Sequence, residues 1–384
     1  MKTVAGRGRF ILAVALCLAL VPAVASADRK APVDRLQRAL DQLVELEGGP
    51  PGASVVLHRG GEEEFLRAGV ADVETEQPFR RQKHMRIASV SKAFSGAVAL
   101  SLVDDGVVGL DDSITSLVPA LPAHWSPVTL RQVLSHTGGL PSFTKNAEYL
   151  KYFGEHLHGQ IDNLGLIEFV RNEPLEFTPG TAYSYSNTDN IVIALVAEAA
   201  THKPYTRLLA REVLRPLGLR ETELPSGFRV PKPLIHGYEV LPEVEDLTEC
   251  CSMDFVGASG GIYSTPHDLA TFTRGYVGGE LFGGAARRAQ FRFIDGASSE
   301  PPGPGRQGGG LALFRYKTRC GTVFGHTGNF PGYTQFTAAT RNGKRSVTVS
   351  VNRQLDPGAS GPRAPEVFET LRRDYALAVC ALLG

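Results

Sequence analysis

The chain has 384 residues, with 40 Lys and Arg against 40 Asp and Glu. This length allows one large hydrophobic core with a second lobe. Because the total charge is balanced, the chain lacks the strong net positive charge that is typical of proteins that bind nucleic acid or an anionic membrane. Basic and aromatic residues are not interleaved in any stretch, so we expect no nucleic-acid partner.

The amino terminus has the pattern of a secretory signal peptide. Three cations precede an apolar run over residues 10–21, and small residues then offer a cleavage site. The run is too short to span a bilayer as a helix. We therefore expect residues 1–27 to be a signal peptide and the mature chain, 28–384, to be secreted or periplasmic, without an integral membrane segment.

A hairpin and a helix are predicted next. Apolar and polar residues alternate over Ala53–His58 and Glu63–Gly69, with a turn at Gly60-Gly61 between the two segments. The apolar spacing from Ser89 to Asp105 predicts a helix that stops at Gly106.

The rest of the chain predicts a helical insertion followed by strands. Helical spacing recurs between about 112 and 257, at residues 130–134, 167–170, 191–200 and 205–214. Short β-branched segments then predict antiparallel strands at 321–326, 333–340 and 345–351, and a closing helix at 365–383. These elements together predict an α+β protein.

Ser89 and Lys92 form an S-x-x-K pair at the start of the predicted helix, where a spacing of three residues puts both side chains on one face. A serine hydroxyl needs a neighbouring base to become a strong nucleophile, and a lysine can be that base only when its pKa is lowered from about 10.4 toward neutrality. The pair alone is common on protein surfaces, so a site needs further partners.

Tyr185 and Asn187 are candidate partners in a loop after a Pro-Gly turn. The phenol can relay a proton, and the amide can hydrogen-bond both Lys92 and a substrate. The alternative is that the tyrosine only packs beneath the loop.

His326-Thr327-Gly328 ends a predicted strand, whose backbone can lie beside a substrate. The N–H of the next residue, Asn329, can pair with the N–H of Ser89 as an oxyanion hole, which requires two such donors.

The order of these motifs resembles the β-lactamase and D-alanyl-D-alanine carboxypeptidase superfamily of serine hydrolases. The secreted D,D-carboxypeptidase branch is similar in having a histidine in the last motif. The resemblance implies an antiparallel sheet flanked by helices over about 30–111 and 258–384, an all-helical lobe over about 112–257, and a cleft between them. The segments that carry it are 86–92, 129–141, 183–188, 260–265 and 325–328.

The resemblance also implies acylation of Ser89 by the carbonyl of a small peptide, an ester or a β-lactam. Lys92 and Tyr185 would move the protons, and no metal or organic cofactor is needed. We expect a D-alanyl-D-alanine carboxypeptidase-like enzyme that acts on peptidoglycan-type peptides and is acylated by penicillins.

One position departs from the carboxypeptidase pattern. Such relatives tend to place an arginine before the last motif to bind the substrate carboxylate, but Phe314 occupies the aligned position and Arg315 stands beside it as a possible contact. A one-residue shift on a strand reverses the side chain. A β-lactamase-related esterase, a D-amino-acid amidase and a class C-like β-lactamase therefore stay open as alternatives.

Four cysteines follow the signal peptide, at positions 250, 251, 320 and 380, and permit three pairings. The adjacent pair is awkward to bridge with itself. The relatives suggest a disulfide between Cys320 and Cys380.

Other motifs offer rival interpretations. Ser259 lies in a G-x-S-x-G string, but the next helix signal begins only after Thr265, so we expect a glycine turn rather than a nucleophile elbow. His136 in a second His-Thr-Gly string is expected to be structural, and His156 with His158 lacks a third metal ligand. A rival of another class is a catalytically retired module that binds wall fragments or a partner protein.

Overall fold

The computed structural model describes Lys2, residues 24–358 and residues 363–384. The predicted signal peptide lies mostly outside these residues. The described strands are β1 Gly52–Arg59, β2 Glu62–Gly69, β3 Met85–Arg86, β4 Tyr238–Glu239, β5 Glu245–Asp246, β6 Tyr263–Ser264, β7 Ile294–Asp295, β8 Arg306–Gly309, β9 Phe314–Thr318, β10 Gly321–Phe330, β11 Tyr333–Ala339 and β12 Arg345–Val351.

The described helices come from both ends and the middle of the chain. They are α1 Val24–Glu45, α2 Ser91–Asp104, α3 Ile114–Leu117, α4 Leu130–Leu134, α5 Ala147–Glu155, α6 Asn163–Glu168, α7 Asn187–Thr201, α8 Tyr205–Leu209, α9 Gly257–Gly260, α10 Pro266–Gly278, α11 Gly284–Gln290 and α12 Ala364–Leu383. No helix among the described residues is long and apolar enough to cross a membrane.

Eight strands form one antiparallel sheet in the order β2-β1-β12-β11-β10-β9-β8-β7. Helices α1 and α12 cover one face, where apolar side chains of β1, β11 and β12 form a core with them. Helix α10 packs on the other face and joins a second core that extends to α2 and α7. The predicted α+β class and antiparallel sheet are confirmed.

Most predicted elements are present, with shifted ends. The hairpin, the three late strands and the closing helix are confirmed, and β10 continues beyond His326 to Phe330. The helix predicted from Ser89 begins instead at Ser91, because residues 88–90 form a 3₁₀ turn. The helix predicted at 167–170 spans Asn163–Glu168, where Asp162 caps its first turn.

A disulfide bond links Cys320, in the turn between β9 and β10, to Cys380 in α12, as predicted. Cys250 and Cys251 are free thiols, with their sulfur atoms 2.8 Å apart. The bridge therefore ties the helical layer directly to the strand that continues into the His-Thr-Gly motif.

Candidate active site

The 3₁₀ turn at residues 88–90 places Ser89 beside Lys92. Ala88 has a left-handed backbone (φ 50°), which is unusual for a residue other than glycine and costs about 1–3 kcal/mol. The Nζ of Lys92 lies 3.0 Å from the Ser89 Oγ, 2.7 Å from the Asn187 Oδ1 and 2.8 Å from the carbonyl oxygen of Ser259. The amine is thus held against the serine hydroxyl by two other acceptors.

Burial changes the chemistry of this amine. Lys92 is 1% exposed, and the loss of hydration lowers its pKa to about 7, although Glu300 and Asp189 act in the opposite direction. A large fraction of the lysine is therefore neutral near pH 7, and a neutral amine can accept the proton of the serine hydroxyl.

Tyr185 lies on the other side of the amine. Its ring centroid is 5.0 Å from the Lys92 Nζ, and its hydroxyl is buried. Burial raises the pKa of Tyr185 well above its usual value, and the Ser89 hydroxyl only partly opposes this. The side chain is therefore a neutral phenol, which can donate a proton rather than act as a phenolate base.

The end of β10 forms the wall opposite the serine. Strand β9 pairs with β10 only from Gly321 to Gly325, so the following residues face the 3₁₀ turn. A Cβ atom on Gly328 would lie 2.5 Å from the carbonyl oxygen of Ile87 and 3.1 Å from the backbone nitrogen of Ser89, so a larger residue would push the strand away. Asn329 follows directly, and the oxyanion hole expected from its backbone N–H and that of Ser89 stays a prediction.

The side chains of Thr327 and His326 make different contacts at the end of β10. The Thr327 hydroxyl donates to the carbonyl oxygen of Pro301 at 2.6 Å and fixes the loop above the cleft. Because a carbonyl can only accept, the His326 Nδ1 that contacts the Thr327 carbonyl carries the proton. Burial lowers the pKa of His326 to about 3, so this residue is neutral near pH 7.

A cleft of about 430 Å³ opens over these groups. Its lining includes the two acidic residues Glu300 and Asp356, and no Arg or Lys from the described part of the chain. Asp356 accepts a hydrogen bond from the Asn329 side-chain amide at 3.1 Å, whereas Glu300 is exposed and makes no ion pair with a described residue. The mouth of the cleft is therefore negatively charged.

A family model described as Beta-lactamase matches residues 34–372. The chain belongs to the beta-lactamase family. The resemblance predicted from the motifs is confirmed, and the chain is a serine hydrolase of this family.

Several known proteins are similar to this chain in sequence, and a solved structure is similar to it in fold. Penicillin-binding protein 4* of Bacillus subtilis is 24% identical over 307 residues, 75% of this chain and 65% of that protein. A D-aminopeptidase of Cereibacter sphaeroides is 31% identical over 212 residues, 54% of this chain and 39% of that protein, so the chain spans less than two-thirds of both relatives. A solved D-stereospecific amidohydrolase from a Streptomyces species matches with a TM-score of 0.73 and 28% identity, covering 84% of this chain and 94% of that one.

Arg315 does not face the cleft of this beta-lactamase-family protein. Its guanidinium pairs with Asp295 and lies over the Phe293 ring, 4.9 Å from the ring centroid. Phe314, on the opposite face of β9, packs edge-on against His326 with 5.0 Å between ring centroids. The register of β9 therefore turns the arginine away from the position that a carboxylate contact would need.

Ser259 lies near the cleft but is held differently from Ser89. It belongs to the short helix α9 rather than the expected glycine turn, and its hydroxyl donates to the carbonyl oxygen of Val256 at 2.6 Å. Its own carbonyl accepts from Lys92. Ser259 thus holds the Lys92 amine through its backbone.

His136 is buried at the exit of α4, as expected, but it also touches the site. Its ring centroid is 4.6 Å from that of Tyr185, and its Nδ1 lies 2.7 Å from the Asp189 Oδ2. Burial lowers the pKa of His136 and raises the pKa of Asp189, so both groups favour their neutral forms. The sequence alone does not reveal this contact with Tyr185, or the presence of Glu300 and Asp356 in the cleft, because all three depend on long-range packing.

No cluster of three or more His, Cys, Asp or Glu side chains that could hold a metal ion occurs within residues 24–358 and 363–384. His156 instead stacks on Tyr152, and His158 stacks on Phe228.

Proposed function

We propose that the protein is a serine amide hydrolase that forms an acyl-enzyme on Ser89 and cleaves small amides and peptides of D-amino acids whose amino group is free. The proposed substrate class rests on the charge of the cleft. Two carboxylates line its mouth, and His326 is neutral. Arg315 is paired with Asp295 outside the cleft. A substrate ammonium group fits this charge, and a substrate carboxylate does not.

The proposed reaction begins with neutral Lys92. It takes the proton of Ser89, whose oxygen forms a bond to the substrate carbonyl carbon while the carbonyl oxygen gains negative charge. The backbone N–H groups of Ser89 and Asn329 stabilise that charge. Tyr185 donates its proton to the leaving amine as the C–N bond breaks, and is reprotonated through Lys92. Water then attacks the ester carbon and gives a proton to Lys92. Lys92 passes that proton to the Ser89 oxygen as the bond between the acyl carbon and this oxygen breaks, which releases the acid and restores both side chains.

The remaining expected site residues support this cycle. Asn187 accepts from Lys92 and donates through its Nδ2 to the Thr144 hydroxyl at 2.7 Å, which fixes the amide next to the cleft.

The D configuration is supported by the D-aminopeptidase and the D-stereospecific amidohydrolase among the relatives. The signal-peptide pattern supports secreted or periplasmic action, with peptidoglycan-derived D-amino-acid peptides as a source of substrate.

A D-alanyl-D-alanine carboxypeptidase is the second candidate, favoured by the similarity to penicillin-binding protein 4*. It requires recognition of a free carboxylate at the end of the substrate. The two candidates therefore differ in which end of the substrate must carry a charge.

The test compares D-alanine p-nitroanilide with a free amino group, its N-acetylated form, its L enantiomer, and N-acetyl-D-alanyl-D-alanine. We expect kcat/KM to be highest for the free-amine D substrate. Glu300→Gln should lower that value about fivefold, through KM, because an exposed ion pair contributes about 1 kcal/mol. Hydrolysis of the N-acetylated form should change little.

Glu148→Gln, an exposed acid of α5 outside the cleft, is the matched control and should leave all four values unchanged. Faster turnover of N-acetyl-D-alanyl-D-alanine than of the free-amine substrate would establish the carboxypeptidase instead.

A further inference from the structure

A second cavity, here called the basic groove, lies away from the candidate active site. It has a volume of about 750 Å³ and is formed by α1, α12, β8, β9 and the turn after β9. Six cations line it: Arg35, Arg38, Arg306, Lys317, Arg319 and Arg373. A chain with balanced total charge therefore concentrates positive charge in one depression.

These six cations lack acidic partners in the described residues. None of them makes an ion pair with a carboxylate described there, and all six are exposed. The neighbouring Arg372, in contrast, pairs with Glu369 at 2.9 Å on the same helix. Like charges gathered without counter-charges repel one another, so the groove gains free energy from a bound anion.

The acidic residue that lines the groove, Asp374, does not offset the positive charge fully. Asp374 is 3% exposed, and its Oδ2 has no hydrogen-bond partner among the described residues. Burial raises the pKa of this carboxyl to about 7, although Arg373 opposes the shift. Near neutral pH the carboxyl is therefore partly protonated, and a protonated carboxyl can donate a hydrogen bond to an anionic oxygen.

The size and composition of the groove restrict the ligand. Its volume lies within the range of about 300–1,000 Å³ that is usual for sites that enclose a whole organic ligand, so it exceeds what one small inorganic ion needs. Five of the six cations are arginines, whose planar guanidinium groups bind phosphate through two parallel hydrogen bonds.

We propose that the basic groove binds a linear polymer of phosphate groups. A bilayer of anionic lipids carries the same phosphate chemistry, but surface-bound proteins insert exposed bulky apolar side chains into it. The exposed large apolar residues of the described chain, such as Val107, Leu150 and Val244, lie outside the groove. A concave groove lined by six cations fits a flexible chain better than a flat membrane.

The groove and the active-site cleft share one loop. Glu300, Pro301 and Pro302 line the cleft, and Gly305 and Arg306 line the groove. A bound polymer would therefore hold the enzyme with its cleft at a fixed place beside the chain, which suits an enzyme that works at a phosphate-rich surface.

The test measures binding of fluorescently labelled inorganic polyphosphate to the purified protein by anisotropy. Arg35→Glu/Arg38→Glu should weaken binding roughly tenfold or more, and Lys317→Glu, on a different element, should also weaken it. Arg220→Glu/Arg288→Glu changes the total charge equally at exposed positions outside the groove, and should change the dissociation constant less than twofold. All variants should keep wild-type hydrolysis and thermal unfolding.

Four results would overturn the proposal. The first three are no binding of polyphosphate by the wild-type protein, equal weakening in the charge-matched control, and equally tight binding of polyglutamate. The fourth, tighter binding to phosphatidylglycerol vesicles than to polyphosphate, would assign the groove to a membrane. Because hydrolysis is measured separately, failure of this proposal leaves the proposed catalytic activity untouched.

Discussion

The Nζ of Lys92 lies 3.0 Å from the Oγ of Ser89, inside a site where burial lowers the pKa of the lysine to about 7. Because the neutral amine is the proposed base, kcat/KM should fall as the pH drops through this value and approach a tenfold loss for each further pH unit. A pH–rate profile measures this decline, and a profile that stays flat down to pH 5 would contradict the role of Lys92.

Lys92→Ala should lose about 10²–10⁴ in rate because a positioned base is removed.

His136 is predicted to position Tyr185 through its ring contact and its bond to Asp189. His136→Phe keeps an aromatic ring but removes the hydrogen bond, so kcat should fall about tenfold, equivalent to ~1.4 kcal/mol, while KM stays constant. Steady-state kinetics of purified, folded protein tests this. Tyr183→Phe, which also neighbours His136, is the control. If His136→Phe lowers only the yield of folded protein and kcat is unchanged, the histidine is merely structural.

The neutral His326 is expected to set the charge preference of the cleft. His326→Lys introduces a cation near the substrate and should shift the ratio of kcat/KM values toward N-acetyl-D-alanyl-D-alanine by about tenfold relative to the free-amine substrate. His326→Gln stays neutral and should leave the ratio unchanged. An equal loss on both substrates in the lysine variant would show that the charge at this position does not select the substrate.

The Cys320–Cys380 bridge closes a loop with a sequence separation of 60 residues. On the chain-entropy model, Cys320→Ser/Cys380→Ser should lower the free energy of unfolding by ~4 kcal/mol, with little change in hydrolysis at 25 °C. Denaturant unfolding monitored by circular dichroism checks this, with Cys250→Ser/Cys251→Ser as the control that retains the bridge. Unchanged stability would mean that the bridge does not constrain the unfolded chain.

Local patterns predicted the parts of the fold that depend on neighbouring residues. The alternation in β1 and β2, the β-branched residues of β11 and β12 and the one-turn spacing of Ser89 and Lys92 are local. The hairpin, the sheet and the lysine–serine contact could therefore be expected. The shift of the helix start to Ser91 could not, because the 3₁₀ turn is held by packing against β10.

Features that bring distant segments of the chain together could not be predicted from the sequence. Glu300 reaches the cleft from a proline-containing loop far from Ser89 in the chain, and the face on which Arg315 lies depends on the register of β9. The basic groove combines α1, β9 and α12, and the balanced total charge conceals it. Charge sums describe the whole surface, whereas binding depends on which charges the fold brings together.

Ser89, and not Ser259, is expected to form the covalent intermediate, and the whole proposed mechanism depends on this assignment. Intact-protein mass spectrometry after treatment with benzylpenicillin tests it directly, with peptide mapping of the adduct. The wild-type and Ser259→Ala proteins should each gain the mass of one penicilloyl group on the peptide that contains Ser89, and Ser89→Ala should gain none. An adduct that persists on Ser89→Ala, or that maps to the peptide containing Ser259, would contradict the mechanism.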